Sequence, residues 1–279
     1  MPDPLVISLA LTGMVPRRAD NANVPLTPEE IAADAARGVA AGARVLHVHA
    51  REPNEDPSPR AEVFADVMRR VRQAAPEALV CATTSGRTHN TFEARSAALT
   101  LQGELKPDLA SLTLGSMNFP KQASVNSPQM IEQLAVAMRD RGILPELEVF
   151  DMGMLDYAHY LIGKGILRPP FVFNLILGSL GTLAATPLNL ALMVERLPAN
   201  AFWSAAGIGR FQFRMNALGI LSGGHARTGL EDNLYMDADK SDPATNERLV
   251  KRIAGLALAA GRPLASFEEA RALLGLTRS

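Results

Sequence analysis

Several residue types are scarce in this sequence, and each scarcity excludes something. The single cysteine, Cys81, cannot form an internal disulfide and fits a reducing cytoplasm. Neither sign of charge is in excess, because 28 Lys and Arg residues stand against 29 Asp and Glu residues, for a net charge of -1. A phosphate backbone requires a basic excess, so we expect no nucleic acid partner.

Export and membrane signals are also lacking. No basic region precedes the first apolar run, so a secretory signal is not expected. One stretch without formal charge, Pro169–Val194, extends over 26 residues. It contains Asn174, Gly178 and Pro187, which are costly in lipid but ordinary in a buried strand, loop and helix. We therefore expect a soluble, cytoplasmic protein without a membrane partner.

The sequence does contain the makings of a globular protein with a large core. It has 279 residues, of which 47% are hydrophobic and 20% are charged. Eight short aliphatic runs alternate with stretches of helical spacing. The predicted strands are Val6–Thr12, Arg44–His49, Leu79–Thr84, Leu109–Thr113, Glu146–Phe150, Phe171–Leu177, Ala201–Ala206 and His225–Gly229. Predicted helices include Pro28–Ala41, Ala61–Ala74, Pro128–Arg141, Pro187–Leu197 and Ala244–Ala260.

This alternation predicts an α/β fold with a parallel sheet. Thr27, Ser127 and Thr186 each precede a proline, which is typical of a helix N-cap. Eight strand–helix units in about 250 residues predict a closed (β/α)8 TIM barrel. An open doubly wound sheet is the alternative, but no Gly-x-Gly-x-x-Gly follows the first strand. We expect residues 1–279 to form one barrel domain, with an extra C-terminal helix, Ser266–Leu276, packed on the outside.

The strongest local signal is Leu46-His47-Val48-His49, at the end of the second predicted strand. Alternate residues of a strand share a face, so both imidazoles are expected to point into the mouth of the barrel. Two neutral imidazoles suit a transition metal, most often zinc, and a catalytic zinc needs a third protein ligand. The alternative is that one histidine is a hydrogen-bonded core residue and the other lines a pocket.

The third ligand has to come from another strand end. The last predicted strand runs into a polar segment that contains Arg227, Glu231 and Asp232. Glu231 would complete a set of two histidines and one glutamate, leaving Asp232 as a base and Arg227 as an anion clamp. A solvated loop held by salt bridges explains the same residues equally well on local grounds.

With these residues the chain resembles the β-keto acid cleavage enzymes, from about Val6 to Leu274. The matching segments are Leu11-Thr12-Gly13, Leu26-Thr27-Pro28-Glu29-Glu30, Gly42-Ala43-Arg44-Val45, His47-Val48-His49, Gly115-Ser116-Met117-Asn118-Phe119, Ala206-Gly207-Ile208-Gly209-Arg210, Gly223-Gly224-His225-Ala226-Arg227 and Gly229-Leu230-Glu231-Asp232-Asn233. The resemblance implies a TIM barrel, usually a homotetramer, with one zinc ion held by His47, His49 and Glu231. It also implies a reaction in which a β-keto acid and acetyl-CoA give acetoacetate and a new acyl-CoA, with Asp232 as the base, oriented by Arg227.

The resemblance also assigns the substrate contacts. Thr83, Gly86 and Ser111 fall on the positions that hold the substrate's carboxylate and oxo group, and Ser111 replaces a threonine. In the family member of lysine fermentation an acidic residue holds the substrate's amino group, and Val15 stands at that position here. A cationic tail would lack its counter-charge, so we expect a neutral or anionic tail, with Arg87 as a candidate to bind a tail carboxylate.

Other candidates carry weaker signals. Gly207-Ile208-Gly209-Arg210 follows the seventh predicted strand, where barrels often bind phosphate, so Arg210 is a candidate for binding CoA; a tight structural turn explains the same glycines. Acidic residues around the fifth strand are candidates to orient the histidines, or ordinary salt-bridge partners. They are Glu146, Glu148 and Asp151.

Two other functions are weighed against this one. An amidohydrolase-type zinc barrel also carries His-x-His, but on its first strand and with further histidines after strands five and six, which this sequence lacks. A barrel that only binds small molecules would contain no metal. Apolar residues on the outer faces of several helices favour a homo-oligomer.

Overall fold

A computed structural model of the protein describes residues 3–276. In chain order the strands of this part are β1 (Ile7–Ala10), β2 (Val45–Val48), β3 (Leu79–Ala82), β4 (Leu109–Thr113), β5 (Met117–Asn118), β6 (Ala123–Ser124), β7 (Leu144–Val149), β8 (Val172–Leu177), β9 (Phe202–Gly207) and β10 (His225–Thr228). Strands β5 and β6 form an antiparallel hairpin, and the other eight close a parallel barrel in the order β1-β10-β9-β8-β7-β4-β3-β2. The predicted TIM barrel is confirmed.

Helices connect the barrel strands. They are α1 (Pro28–Ala40), α2 (Ala61–Ala74), α3 (Phe92–Ser96), α4 (Pro128–Asp140), α5 (Met152–Gly163), α6 (Pro187–Glu195), α7 (Gln212–Leu221), α8 (Asn246–Ala259) and α9 (Phe267–Leu273). The three predicted N-caps are confirmed, since the hydroxyls of Thr27, Ser127 and Thr186 each accept a backbone N–H of the first turn. These bonds satisfy donors that a helix start leaves free, and the prolines that follow have no N–H to satisfy.

Barrel closure places the first, second and last barrel strands side by side. Strand β1 pairs with β2 on one side and with β10 on the other. Ala10 of β1 lies opposite His47, and Ser8 of β1 lies opposite Arg227. Residues that are far apart in the sequence therefore meet at the carboxyl ends of these strands, where barrel enzymes carry their active sites.

The other end of the barrel is closed by α9. Inward-facing residues at the strand starts, including Val6, Val45 and Leu109, form one buried cluster with Ala270 and Leu274. The predicted C-terminal helix exists, but its predicted packing on the outside is wrong. It covers the floor of the barrel because the apolar side chains there would otherwise face water.

The uncharged stretch Pro169–Val194 forms a strand, a loop and a helix, as the sequence predicts, but of these the helix is only partly buried. Strand β8 is completely buried, and α6 follows it. Within residues 3–276, none of the helices combines the length and the apolar character that crossing a bilayer demands. Helix α6 exposes Leu188 and Leu192 to solvent.

Candidate active site

The two histidines of the His-x-His pattern converge at the mouth of the barrel. His47 lies in β2, and His49 comes directly after it, so both side chains point to the same side. Their Nε2 atoms are 3.1 Å apart. Glu231, in the loop after β10, brings its carboxylate to 3.3 Å from Nε2 of His49 and to 3.6 Å from Nε2 of His47.

These three side chains fit a tetrahedral metal ion. Zinc binds nitrogen and oxygen ligands at roughly 2.0–2.1 Å, which puts ligand atoms about 3.3 Å apart in a tetrahedron. The separations of 3.1, 3.3 and 3.6 Å match that spacing. Oε2 of Glu231 is buried and has no hydrogen-bond partner within residues 3–276, a costly arrangement that a bound cation would relieve. His47, His49 and Glu231 can therefore hold a metal ion.

His47 is set up to be neutral, as a metal ligand must be. Burial lowers the pKa of its imidazole well below the usual value, and the charge of Arg227 acts in the same direction. Its second ring nitrogen, Nδ1, lies 3.8 Å from Oε2 of Glu146 and has no hydrogen-bond partner in the described part of the chain. Burial raises the pKa of Glu146 to about 7.

Arg227 lies within 4 Å of four acidic side chains below the mouth of the barrel, of which Glu146 is the farthest, at 3.9 Å. Its Nε is 2.9 Å from Oδ2 of Asp232, its Nη2 is 3.2 Å from Oε1 of Glu231, and its Nη1 is 3.6 Å from Oε1 of Glu148. Thr113 donates a hydrogen bond of 2.6 Å to Glu148. The side chain of Arg227 is only 2% exposed, so this network is not the solvated loop that was the alternative.

Asp232 is held rigidly and away from water. Arg227 donates to both of its carboxylate oxygens, at 2.9 and 3.2 Å, and its backbone carbonyl accepts the N–H of Gly209 at 2.7 Å. Burial raises the pKa of Asp232, while the charge of Arg227 opposes that rise. A buried carboxylate next to a metal-binding set is suited to take a proton from an acidified carbon.

The predicted substrate contacts lie on neighbouring strand ends. The Thr83 hydroxyl accepts the N–H of Ser85 at 3.0 Å, and the Ser111 hydroxyl accepts the N–H of Thr84 at 3.2 Å. Each hydroxyl keeps its own hydrogen for a ligand. Gly86 has no room for a side chain, because a Cβ there would lie 2.7 Å from Nη1 of Arg95.

The remaining predicted residues lie at the rim. Val15 is 50% exposed in the loop after β1. Arg87 is half-buried, with its guanidinium 3.6 Å from the centre of the Phe119 ring. Arg210 is exposed on a 3₁₀ turn after β9. That turn needs glycine at 207, because a Cβ there would lie 2.4 Å from the carbonyl oxygen of Phe211.

Two of the three acidic candidates on the fifth barrel strand do not touch a histidine. Glu148 pairs with Arg227 and Thr113, and Asp151 caps α5 by accepting the N–H of Met154 at 3.0 Å. Of the two roles considered for Asp151, the structure therefore favours the ordinary structural one. Glu146 alone approaches one, at 3.8 Å from His47.

Three buried carboxamides that the sequence analysis missed hold the backbone that leads to Glu231. Gln212 donates to the carbonyl of Gly229, Asn216 donates to the carbonyl of Arg227, and Asn246 accepts the N–H of Leu230. A usable signal existed in α7, where two amides stand four residues apart and so share one helix face. Their partners are backbone groups, which the sequence cannot reveal.

Comparison with known proteins agrees with this geometry. The family model described as beta-keto acid cleavage enzyme matches residues 4–276. The 3-keto-5-aminohexanoate cleavage enzyme of Acetoanaerobium sticklandii is 37% identical, covering 98% of this chain and 99% of that protein. The 3-oxoadipate:acetyl-CoA acetyltransferase of Cupriavidus necator is also 37% identical, over 99% of this chain and 96% of that one.

A solved structure shares the fold at low sequence identity. A ternary complex of ObcA with a C4-CoA adduct and oxalate superimposes with a TM-score of 0.82, at 21% identity, over 91% of this chain and 68% of that one. The prediction of a C–C bond cleaving transferase is confirmed at the level of the family, which disfavours both the hydrolase and the binding protein. This chain belongs to the beta-keto acid cleavage enzyme family.

Proposed function

We propose that this enzyme converts a β-keto acid and acetyl-CoA into acetoacetate and a new acyl-CoA. His47, His49 and Glu231 would hold one zinc ion per chain, and Asp232 would act as the base. The observation that carries the proposal is the convergence of three side chains, with the two imidazole Nε2 atoms 3.1 Å apart and the Glu231 carboxylate oxygens 3.3 and 3.6 Å from them, beside the buried Arg227–Asp232 pair. The names of the Acetoanaerobium sticklandii and Cupriavidus necator relatives support the reaction class.

The chain's own groups account for the proton transfers. Zinc, when bound, would supply a Lewis acid that stabilises negative charge on the substrate's oxo oxygen. Asp232 takes a proton from C2, the carbon between the two carbonyl groups, and Arg227 fixes the carboxylate for that transfer. The C2 carbanion displaces CoA from the acetyl group. The CoA thiolate then adds to the original oxo carbon, the bond from that carbon to C2 breaks, and Asp232 returns the proton to acetoacetate.

The substrate's carboxylate would be bound by hydroxyls and a backbone N–H. Thr83 and Ser111 each keep a hydroxyl hydrogen to donate, and Gly86 would add its backbone N–H from the loop after β3. Val15 provides no counter-charge for a cationic tail, which supports a neutral or anionic one. We also propose that Arg210 contacts the phosphates of CoA, because it is exposed on a turn after β9.

Isotope labelling tests the proposed reaction directly. Zinc-loaded enzyme is incubated with a β-keto acid and acetyl-CoA carrying ¹³C at both acetyl carbons. The proposal expects both labels at C3 and C4 of acetoacetate and none in the new acyl-CoA. If acetyl-CoA were instead hydrolysed to labelled acetate and the free CoA then cleaved the β-keto acid directly, the products would be unlabelled acetate and acyl-CoA without acetoacetate, and that result would overturn the proposal. Metal analysis of the same sample should give about one zinc per chain.

We further propose a cytoplasmic homo-oligomer, with four subunits as the family resemblance implies. The apolar side chains of Leu188 and Leu192 on the exposed face of α6 support subunit packing. Sedimentation velocity measures the assembly. A single species at 29.9 kDa over a wide concentration range would contradict it.

A further inference from the structure

The arginines around the mouth of the barrel are almost all committed to partners. Arg227 binds Asp232 and Glu231. Arg51 donates to the backbone carbonyls of the loop after β1 at 2.9 Å, and Arg95 donates to the carbonyl of Thr84 at 2.9 Å. None of these three guanidinium groups is available for a ligand without breaking a bond that shapes the site.

Among the arginines there that are at least partly buried, Arg87 is the exception, whereas Arg210 is exposed. Within the described residues its guanidinium makes no hydrogen bond and no salt bridge, and its Nε is buried without a partner. Burial lowers the pKa of this group, while the carboxylates of Glu231 and Glu148 act in the opposite direction. Arg87 lies in the loop after β3, at the carboxyl end of the barrel, which carries the candidate site. An unpaired, half-buried cation is costly, and an anion from outside would remove that cost.

The surroundings hold Arg87 in place without using its hydrogen-bond donors. The guanidinium stacks on the Phe119 ring at 3.6 Å, and Phe119 in turn packs edge-to-face on Phe150, with 5.9 Å between ring centres. Stacking occupies the flat face of a guanidinium and leaves its edge, with its N–H groups, for a carboxylate. The backbone beside it is fixed too, because Gly86 packs against Arg95.

We propose that Arg87 binds a second carboxylate, at the far end of the substrate, and that the preferred substrates are β-keto dicarboxylic acids. The inference rests on the proposed function, since it adds a specificity residue to that reaction. Thr83, Gly86 and Ser111 already provide for the carboxylate next to the reacting carbon, and Val15 provides nothing for a cationic tail. A guanidinium edge matches a carboxylate through two parallel hydrogen bonds.

The test compares two substrates of equal chain length, β-ketoadipate and β-ketohexanoate, in the zinc-loaded enzyme. We expect kcat/KM to favour β-ketoadipate by about 10- to 100-fold, the range for hydrogen bonds to a charged group. Arg87→Met should remove most of that preference by lowering kcat/KM for β-ketoadipate while changing β-ketohexanoate by less than about 2-fold. Arg87→Lys keeps the charge but loses the paired N–H donors of the guanidinium. Its preference for β-ketoadipate should therefore lie between that of the wild type and that of Arg87→Met.

Two results would overturn the inference. The first is a wild-type enzyme with equal kcat/KM for the two substrates, which would mean that it has no site for a tail carboxylate. The second is an Arg87→Met variant in which kcat/KM falls equally for both substrates, which would place Arg87 at the carboxylate that they share. Turnover of β-ketohexanoate tests the proposed function separately and shows that the variant is folded. Arg252→Met is the matched control, because Arg252 also stacks on a phenylalanine, Phe213, at 4.9 Å, but in α8. It should leave the substrate ratio unchanged.

Discussion

Gly13 and Glu231 are in direct contact at the mouth of the barrel. A Cβ atom at position 13 would lie 2.6 Å from Cγ of Glu231, and Gly13 has a φ of +66°. Nε of Arg51 donates a hydrogen bond of 2.9 Å to the carbonyl of Gly13. This bond holds the loop after β1 in contact with Glu231. Glycine is therefore needed at position 13 for its backbone conformation and for the position of a proposed zinc ligand.

Replacing Gly13 should disturb the metal site beyond its effect on stability. We expect Gly13→Ala to lose about 1 kcal/mol of unfolding free energy from backbone strain, and to bind zinc about 10- to 100-fold more weakly because Glu231 is displaced. Gly103→Ala is the control, since Gly103 has a φ of +58° but open space around it. It should lose similar stability and keep its zinc affinity. Equal zinc affinities in the two variants would show that the contact does not position Glu231.

Variants of the neighbouring acidic residues Glu231 and Asp232 should lose different properties of the enzyme. Glu231→Gln is expected to lose zinc, measured as metal per chain after dialysis, because it removes a charged ligand. Asp232→Asn should keep its zinc and lose turnover by about 100- to 10,000-fold, the usual effect of removing a general base. Normal turnover by Asp232→Asn would remove the base assignment.

Asn246 should be important for stability although it is remote from the substrate. It is fully buried, donates to the carbonyl of Leu11 at 2.9 Å and to Asp34 at 2.5 Å, and accepts the N–H of Leu230 at 2.8 Å. Asn246→Ala leaves these groups unpaired, so we expect a loss of about 3 kcal/mol in urea unfolding. Asn23→Ala, which removes one partly buried bond to Ala244, should cost about 1 kcal/mol. Similar losses in the two variants would contradict this account.

His225 should make the fold sensitive to acid. It accepts the N–H of Val6 at 3.0 Å, and burial lowers its pKa to about 3. In the unfolded chain a histidine has a pKa of about 6.5 and is protonated below that pH. In the folded chain His225 stays neutral there, so acid favours the unfolded state. The contribution of the neutral His225 to the free energy of unfolding is therefore complete above about pH 6.5, and it is lost progressively as the pH falls toward 3.

The size of this effect can be isolated with a variant. A histidine that is neutral in the folded chain and protonated in the unfolded chain lowers the free energy of unfolding by about 2 kcal/mol between pH 7 and pH 5. The loss of unfolding free energy over that range, measured with urea, should therefore be about 2 kcal/mol smaller in His225→Gln than in the wild type. An identical pH dependence would mean that the imidazole is protonated inside the fold.

The sequence could predict those features of the fold and the site that depend on local periodicity. Alternation along a strand puts His47 and His49 on one face, and a threonine followed by proline marks the start of α1, because both follow from backbone geometry alone. Closure of the barrel then brings Glu231 to them. The hairpin of β5 and β6 was not predicted, since strands of two residues are too short to show alternation.

Long-range partners could not be predicted. Asn246 bonds to Leu11, 235 positions away in the sequence, and nothing in its own neighbourhood indicates that contact. The apolar residues of α9 indicated a surface to be covered but not which one, so the helix was assigned to the wrong side. Arg87 was recognised as a candidate by its place beside Gly86, but only the fold shows that its guanidinium lacks a partner.

The helix across the barrel floor has a consequence for how the protein is made. Val6 and Val45 emerge early from the ribosome, but their cover, Ala270 and Leu274, is translated far later. A barrel that formed before α9 was in place would therefore expose these apolar strand starts to water. Docking of α9 is thus the step that would end this exposure, although the helix lies at the opposite end of the barrel from the candidate site.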